Sequence, residues 1–249
     1  MESTGVSAQQ PVRVALIGCG AWGRNLVRTH AALGSLVAVV DPDPAVAAAQ
    51  AETYGVEART FEEVLADPSV DAVVVAAPAA DHAALAEAAL AAGKHCYVEK
   101  PLALTVEDAE RVVAAAEGAG RVLMVGHLLQ YHPAFLRLRE LVDAGALGEL
   151  RYLYSNRLNL GRIRQEENSL WSFAPHDLSM LLSLVGEEPS EVTATGATFL
   201  NRGVADVTTT HLAFPSGPRA HVFVSWLHPF KEQRLVVVGS EAMAVFDDT

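Results

Sequence analysis

Short apolar runs separated by amphipathic stretches dominate the first half of the chain. Residues 12–17, 36–40, 72–76, 95–98 and 122–125 are largely continuous runs, without the polar alternation of a half-solvated strand. Such runs predict strands covered on both faces. Helical spacing fills the gaps near residues 22–32, 44–54, 81–92 and 105–118. Strand–helix alternation of this kind predicts a doubly wound, parallel α/β sheet over residues 12–126. One more helix, about 132–144 and ending at Gly145, leads out of it.

After residue 148 the pattern changes. Residues 150–160 make one long extended segment, with Arg151, Leu153, Ser155, Arg157 and Asn159 on a single face. Segments 191–200, 206–214, 219–227 and 233–238 also read as strands, and Pro215-Ser216-Gly217-Pro218 supplies a tight turn. A helix at about 175–185 precedes them. The expectation for residues 127–249 is an α+β domain with an open, mainly antiparallel sheet. No internal repeat and no low-complexity linker interrupts the chain.

Composition narrows the function. With 249 residues, 51% of them hydrophobic, the chain can bury a real core. A formal charge of −12 argues against nonspecific nucleic-acid binding. Two cysteines, Cys19 and Cys96, make no disulfide framework and suit a reducing compartment. Residues 1–11 carry neither a basic region nor an apolar stretch and read as a loose tail. No apolar run reaches the length of a membrane span, so the expected setting is the cytoplasm.

The first strand runs into Gly18-Cys19-Gly20-Ala21-Trp22-Gly23, which has the G-x-G-x-x-G spacing at a strand-to-helix turn. In that context the first glycine allows the turn and the second lets a pyrophosphate approach the backbone. The third lets helix and strand pack closely, and helix amides then face the phosphates. Asp41 closes the second strand, where a carboxylate accepts hydrogen bonds from a ribose and repels a 2′-phosphate. The expected cofactor is therefore NAD, in preference to NADP. Further on, Glu99-Lys100-Pro101 places a lysine just past a later strand of the same sheet. A lysine near a nicotinamide and a sugar hydroxyl can orient that hydroxyl and stabilise a developing alkoxide.

Taken in order, the glycine loop, Ala77-Pro78 with His82, Glu99-Lys100-Pro101 and Val125-Gly126-His127 resemble the glucose–fructose oxidoreductase / inositol dehydrogenase / MocA-like family. The resemblance runs from about residue 12 to the C-terminus. It implies a Rossmann domain followed by an α+β domain whose sheet makes a homo-oligomer interface. It also implies hydride transfer between nicotinamide and a sugar or cyclitol carbon. On this basis Ala77, Pro78, His82, Glu99 and Lys100 join the cofactor set, and His127 joins the substrate set. The family's Asp-x-x-x-His pair falls on Ser172 and His176, so the histidine is matched as a catalytic residue and the aspartate is not, and both positions join Lys100 in the substrate set. The resemblance further implies more strands and a final helix beyond residue 249, so this chain reads as a short form or a fragment.

The substrate expectation rests on the densest basic stretch of an acidic chain, containing Arg157, Asn159, Arg162 and Arg164. Arginines clamp phosphate oxygens bidentately and suit a nucleotide-sugar diphosphate. The stretch 154–175 is similar to a branch that includes UDP-N-acetylglucosamine 3-dehydrogenases. Oxidation of an inositol, reduction of a ketosugar and a non-catalytic NAD-binding paralogue stay open as alternatives. His211, His221 and His228 have no metal-ligand spacing, so no metal is expected.

Overall fold

A computed structural model describes residues 11–161, 163, 167–200 and 203–249. Its contacts divide into two compact units that meet in sequence between Gly126 and His127.

The first unit opens with β1 (Val14–Ile17), α1 (Gly23–Ala32), β2 (Leu36–Val40) and α2 (Pro44–Tyr54). A short strand β3 (Glu57–Ala58), α3 (Phe61–Ala66) and β4 (Ala72–Val75) follow. It closes with α4 (His82–Ala91), β5 (His95–Val98), α5 (Val106–Ala119) and β6 (Leu123–Val125). The six strands form one sheet in the order β3-β2-β1-β4-β5-β6, and every pair is parallel. Alternate strand residues serve the two faces. Ile17, Val75 and Val98 pack with Leu90 and Val112 on one side, whereas Leu16, Val39 and Val74 pack with Val27 on the other. The register puts Ile17, Val40, Val75, Val98 and Val125 in one row, so those five strands end level. Everything that follows them emerges along one edge.

The expected alternation omitted β3 and α3. The sequence carried a signal for α3, because Thr60 and Glu63 form a reciprocal capping box at its start. The helix has only six residues and is hard to find from periodicity.

The second unit contains α6 (Pro133–Asp143), β7 (Leu150–Leu160), α7 (Ser169–Val185) and β8 (Glu191–Ala197). It continues through β9 (Val207–Ala213), β10 (Arg219–Ser225), β11 (Leu227–Gly239) and β12 (Met243–Asp247). The sheet order is β12-β11-β7-β10-β9-β8, with β7 and β10 parallel and every other pair antiparallel. Leu153, Val222, Val224, Leu235 and Val237 share a core with Phe135 of α6 and with Met180, Leu181 and Leu184 of α7. Tyr154 and His221 stack at 5.4 Å, and the Tyr152 hydroxyl meets His221 Nδ1 at 2.5 Å. Tyr152 and Tyr154 alternate with Leu153 and so serve the opposite face of β7.

Several boundaries differ from the sequence expectation; β11, for one, begins at Leu227, six residues before the expected 233. α7 starts six residues before the expected 175, because Asn168 caps it by accepting from the Trp171 amide. Pro175 therefore lies inside the helix rather than at its entrance. The expected strand 191–200 ends at Ala197, since the amides of Phe199 and Leu200 turn aside to donate to Asp206. The 215–218 turn is present, closed by the Gly217 amide on Phe214 O at 3.0 Å.

Candidate active site

The level ends of the first sheet bring Gly18, Asp41, Ala76-Ala77-Pro78, Glu99-Lys100 and Gly126 to one edge. Ligands of open parallel sheets bind at this edge. The three loop glycines answer different steric demands. Gly18 has φ +92°, and a Cβ there would lie 2.7 Å from the Ala77 amide nitrogen. A Cβ on Gly23 would lie 1.9 Å from Gly18 O, so the loop closes only around glycine. Gly20 is exposed, and a Cβ there would meet nothing within 4 Å. The backbone is thus tight where the loop packs and open where a pyrophosphate would approach, next to the first turn of α1.

Asp41 ties β2 to this loop. Its Oδ2 accepts from the Cys19 amide at 2.8 Å and its Oδ1 from the Asp43 amide at 3.0 Å. A carboxylate has about four acceptor positions, so room remains for ribose hydroxyls. Cys19 itself is buried; burial, then the nearby Asp41 charge, pushes its thiol up to about 11, and it stays protonated. Its part in the loop is played by its backbone. Ala21 and Trp22 are exposed beside Gly20.

Lys100 follows β5 and the buried Glu99, and its peptide bond to Pro101 is cis. Glu99 Oε1 accepts from the Tyr97 hydroxyl at 3.0 Å, while Oε2 accepts from the Lys100 amide at 3.3 Å. A Cβ on Gly126 would sit 2.7 Å from the Tyr97 hydroxyl and 2.9 Å from Glu99 Oε1. Tyr97 and Gly126 therefore pack around the Glu99 carboxylate that precedes Lys100. Strand alternation was the signal that could have found Tyr97, two residues before Glu99.

His82, expected among the cofactor ligands, takes a different place. It is only 2% exposed, with Nδ1 2.7 Å from Pro101 O and Nε2 2.9 Å from Ala77 O. The ring joins two edge loops through their backbones instead of presenting itself to a ligand. Glu99 is likewise turned toward Tyr97 and the Lys100 amide. Asp81, the residue before α4, makes no side-chain capping hydrogen bond.

The second unit holds the remaining candidates. His127 opens a short 3-10 turn at Leu128–Tyr131. Ser172 is buried on α7, and His176 lies one turn further along the same helix, half-buried. Such i, i+4 positions share a face. Asn159 is half-buried, and its Oδ1 has no hydrogen-bond partner among the described residues. Arg162 and Arg164 lie outside the described residues.

Arg157 corrects the expectation of an arginine free to clamp phosphate. It is 7% exposed and forms a two-pronged pair with Asp177 of α7, Nε to Oδ2 at 2.7 Å and Nη2 to Oδ1 at 3.2 Å. The physical reason is strand alternation. Leu153, Ser155 and Arg157 share the face of β7 that looks toward the helix.

Comparison with known proteins accords with this architecture. Residues 12–127 match the family described as "Oxidoreductase family, NAD-binding Rossmann fold", and residues 135–245 match the GFO/IDH/MocA C-terminal domain. UDP-N-acetylglucosamine 3-dehydrogenase of Acidithiobacillus ferrooxidans is 34% identical over 95% of this chain and 74% of its own length. Inositol 2-dehydrogenase of Rhizobium meliloti is 33% identical over 78% of this chain, a match that spans 61% of that relative. The crystal structure of GenD2 from gentamicin A biosynthesis in complex with NAD superimposes with a TM-score of 0.90 at 29% identity, covering 99% of this chain and 75% of that one. The first unit is an NAD-binding Rossmann domain, and the chain belongs to the GFO/IDH/MocA oxidoreductase family.

Proposed function

We propose that the protein is an NAD-dependent dehydrogenase acting on a sugar hydroxyl, with C3 of a UDP-N-acetylhexosamine as the reacting carbon. The observation that carries the reading is Lys100 on the same sheet edge as the glycine loop and Asp41. The finer choice of substrate is supported by the 34% identity to a UDP-N-acetylglucosamine 3-dehydrogenase across 95% of the chain.

NAD, when bound, supplies a hydride acceptor at nicotinamide C4. The chain's residues do the rest. Loop amides and the first turn of α1 hold the pyrophosphate, and Asp41 selects the ribose that bears a free 2′-hydroxyl. Lys100 orients the sugar hydroxyl and stabilises negative charge on its oxygen. His176 accepts the hydroxyl proton. One O–H and one C–H bond of the substrate would break as its carbonyl forms, the proton passing to His176 and the hydride to the acceptor that NAD would supply. With Arg157 committed to Asp177, contact with a diphosphate falls to Arg162 and Arg164 in this reading.

Inositol oxidation is the second reading. It is favoured by the 33% identity to an inositol 2-dehydrogenase and by the inward turn of Arg157. The deciding experiment follows NADH absorbance with NAD and either UDP-N-acetylglucosamine or myo-inositol, in the presence of a ketone-trapping amine. Turnover of the nucleotide sugar alone supports the first reading, and turnover of inositol alone replaces it with the second. NADH binding with neither turnover would make the chain a cofactor-binding paralogue.

A further inference from the structure

Within the reading that His176 moves the substrate proton, we propose that Arg157 is a positioning residue for His176 and not a ligand of the substrate. The pair it makes with Asp177 fixes the rotation of α7 on its sheet, and with it the direction in which His176 leaves the helix.

Three observations carry this. First, the Asp177 carboxylate is 1% exposed and held by three donors from two residues. Arg157 Nε and Nη2 donate to its two oxygens, and Ser155 Oγ donates to Oδ1 at 2.6 Å. A planar guanidinium meeting a carboxylate edge-on tolerates little rotation, unlike the apolar contacts of Ala174, Met180, Leu181 and Leu184, which are non-directional. Second, His176 directly precedes Asp177, and neighbours on a helix point about 100° apart. Locking one therefore sets the other. Third, Pro175 stands immediately before His176 inside the helix. It has no amide to donate to Trp171 O, so the helix's own ladder is interrupted where the histidine must be aimed. The ion pair restores from the sheet the rigidity that the backbone lacks at that point.

The placement also accounts for the charge of Arg157 without a ligand. A buried guanidinium is tolerated when a carboxylate neutralises it, and here the carboxylate belongs to the helix being positioned.

The test compares wild type with R157K, R157M, D177N and the double variant R157M/D177N. For each, kcat and KM are measured with UDP-N-acetylglucosamine and with myo-inositol. In parallel, the side-chain resonance of His176 is recorded in histidine-labelled protein and assigned with H176Q. The expected result is a fall in kcat of about tenfold to a hundredfold in each single variant, as small misplacements of catalytic groups produce. KM should stay within about twofold, the double variant should be no worse than the worse single one, and the His176 resonance should move while that of His221 does not. A tenfold or larger rise in KM for the nucleotide sugar in R157M, with kcat, D177N and the His176 resonance unaffected, overturns the proposal and returns Arg157 to the phosphate. Where R157M fails to fold, R157K keeps the charge and carries the test. If the wild type oxidises neither substrate, the functional reading has failed. The resonance then decides the positioning claim alone: unmoved in R157K and D177N, it refutes it.

Discussion

The edge of the first sheet and the helix-facing side of the second are built on opposite plans. In the first, the strands end in one register row, and the glycine loop is shaped by backbone: tight at Gly18 and Gly23, open at Gly20, with the Cys19 amide meeting Asp41. In the second, the groups behind His176 are side chains, with Arg157, Ser155 and Asp177 joined across strand and helix. Backbone construction tolerates most substitutions that spare its glycines. Side-chain construction depends on particular pairs, and it leaves little trace in residue spacing.

The largest expected effect sharpens this division. In the proposed function Lys100 is the side chain on the first sheet's edge that performs chemistry, so Lys100→Met should lower kcat by about 10²- to 10⁴-fold, the range typical of a lost acid–base or electrostatic group. NADH affinity, read by fluorescence titration, should change less than about twofold. A tenfold loss of NADH affinity would mean that the lysine belongs to the cofactor cradle, and the division would fail.

Gly23→Ala attacks the backbone plan directly. The new methyl would lie 1.9 Å from Gly18 O and 3.6 Å from Ala76 Cβ. Gly18 O is main chain and cannot swing aside. Overpacking of this kind costs about 1–3 kcal/mol, and relief requires the loop to open. The melting temperature and NADH binding should fall together. An unchanged variant would show that the loop is not the rigid element its contacts imply.

This contrast also explains what could be read in advance. The glycine spacing, the apolar runs and Asp41 gave the first unit in outline, because parallel strands buried on both faces need no partner information. Lys100 was placed by the end of its strand. His82 and Glu99 were assigned to the ligand because a motif records that a residue matters and not which way it points. Arg157 is the instructive case. The same face of β7 carries Leu153, and that apolar neighbour was the clue that the face looks inward. The clustering of basic residues from 157 to 164 outweighed it. Asp177, which makes the inward face habitable for a guanidinium, lies twenty residues away on another element. The start of α7 was missed for a local reason, since Pro175 reads as an entrance until Asn168 is recognised as the cap.

A second buried carboxylate tests the side-chain plan away from His176. Asp206 accepts from the amides of Phe199 and Leu200 at 2.6 and 2.9 Å and from Trp226 Nε1 at 2.6 Å. Burial pushes its carboxyl up, but these donors outweigh burial and hold it below the usual range. A carboxylate depressed on folding stabilises above its unfolded pKa of about 4, and that contribution is lost as pH falls through the lower folded value. Asp206→Asn places an amide against three donors and should cost roughly 1–3 kcal/mol at pH 7 by urea denaturation. The gap from wild type should narrow below about pH 4. A gap independent of pH would mean that the carboxylate's charge plays no part in holding the 199–200 turn.

The smallest expected effect is the most discriminating for the first unit. Gly20 is not among the glycines with positive φ, and a methyl there meets nothing within 4 Å. Gly20→Ala should therefore leave the fold intact, and by restricting the unfolded chain it can add about 0.4–1 kcal/mol of stability. The one partner that would feel the methyl is a pyrophosphate lying on the loop. NADH affinity should weaken about tenfold, near 1.4 kcal/mol, while the melting temperature holds or rises slightly. Opposite signs for stability and binding at Gly20, against losses in both at Gly23, would separate a glycine kept for the ligand from one kept for the fold. Equal NADH affinity in the Gly20 variant would place the pyrophosphate elsewhere and remove the reason for reading the open position as part of the cradle.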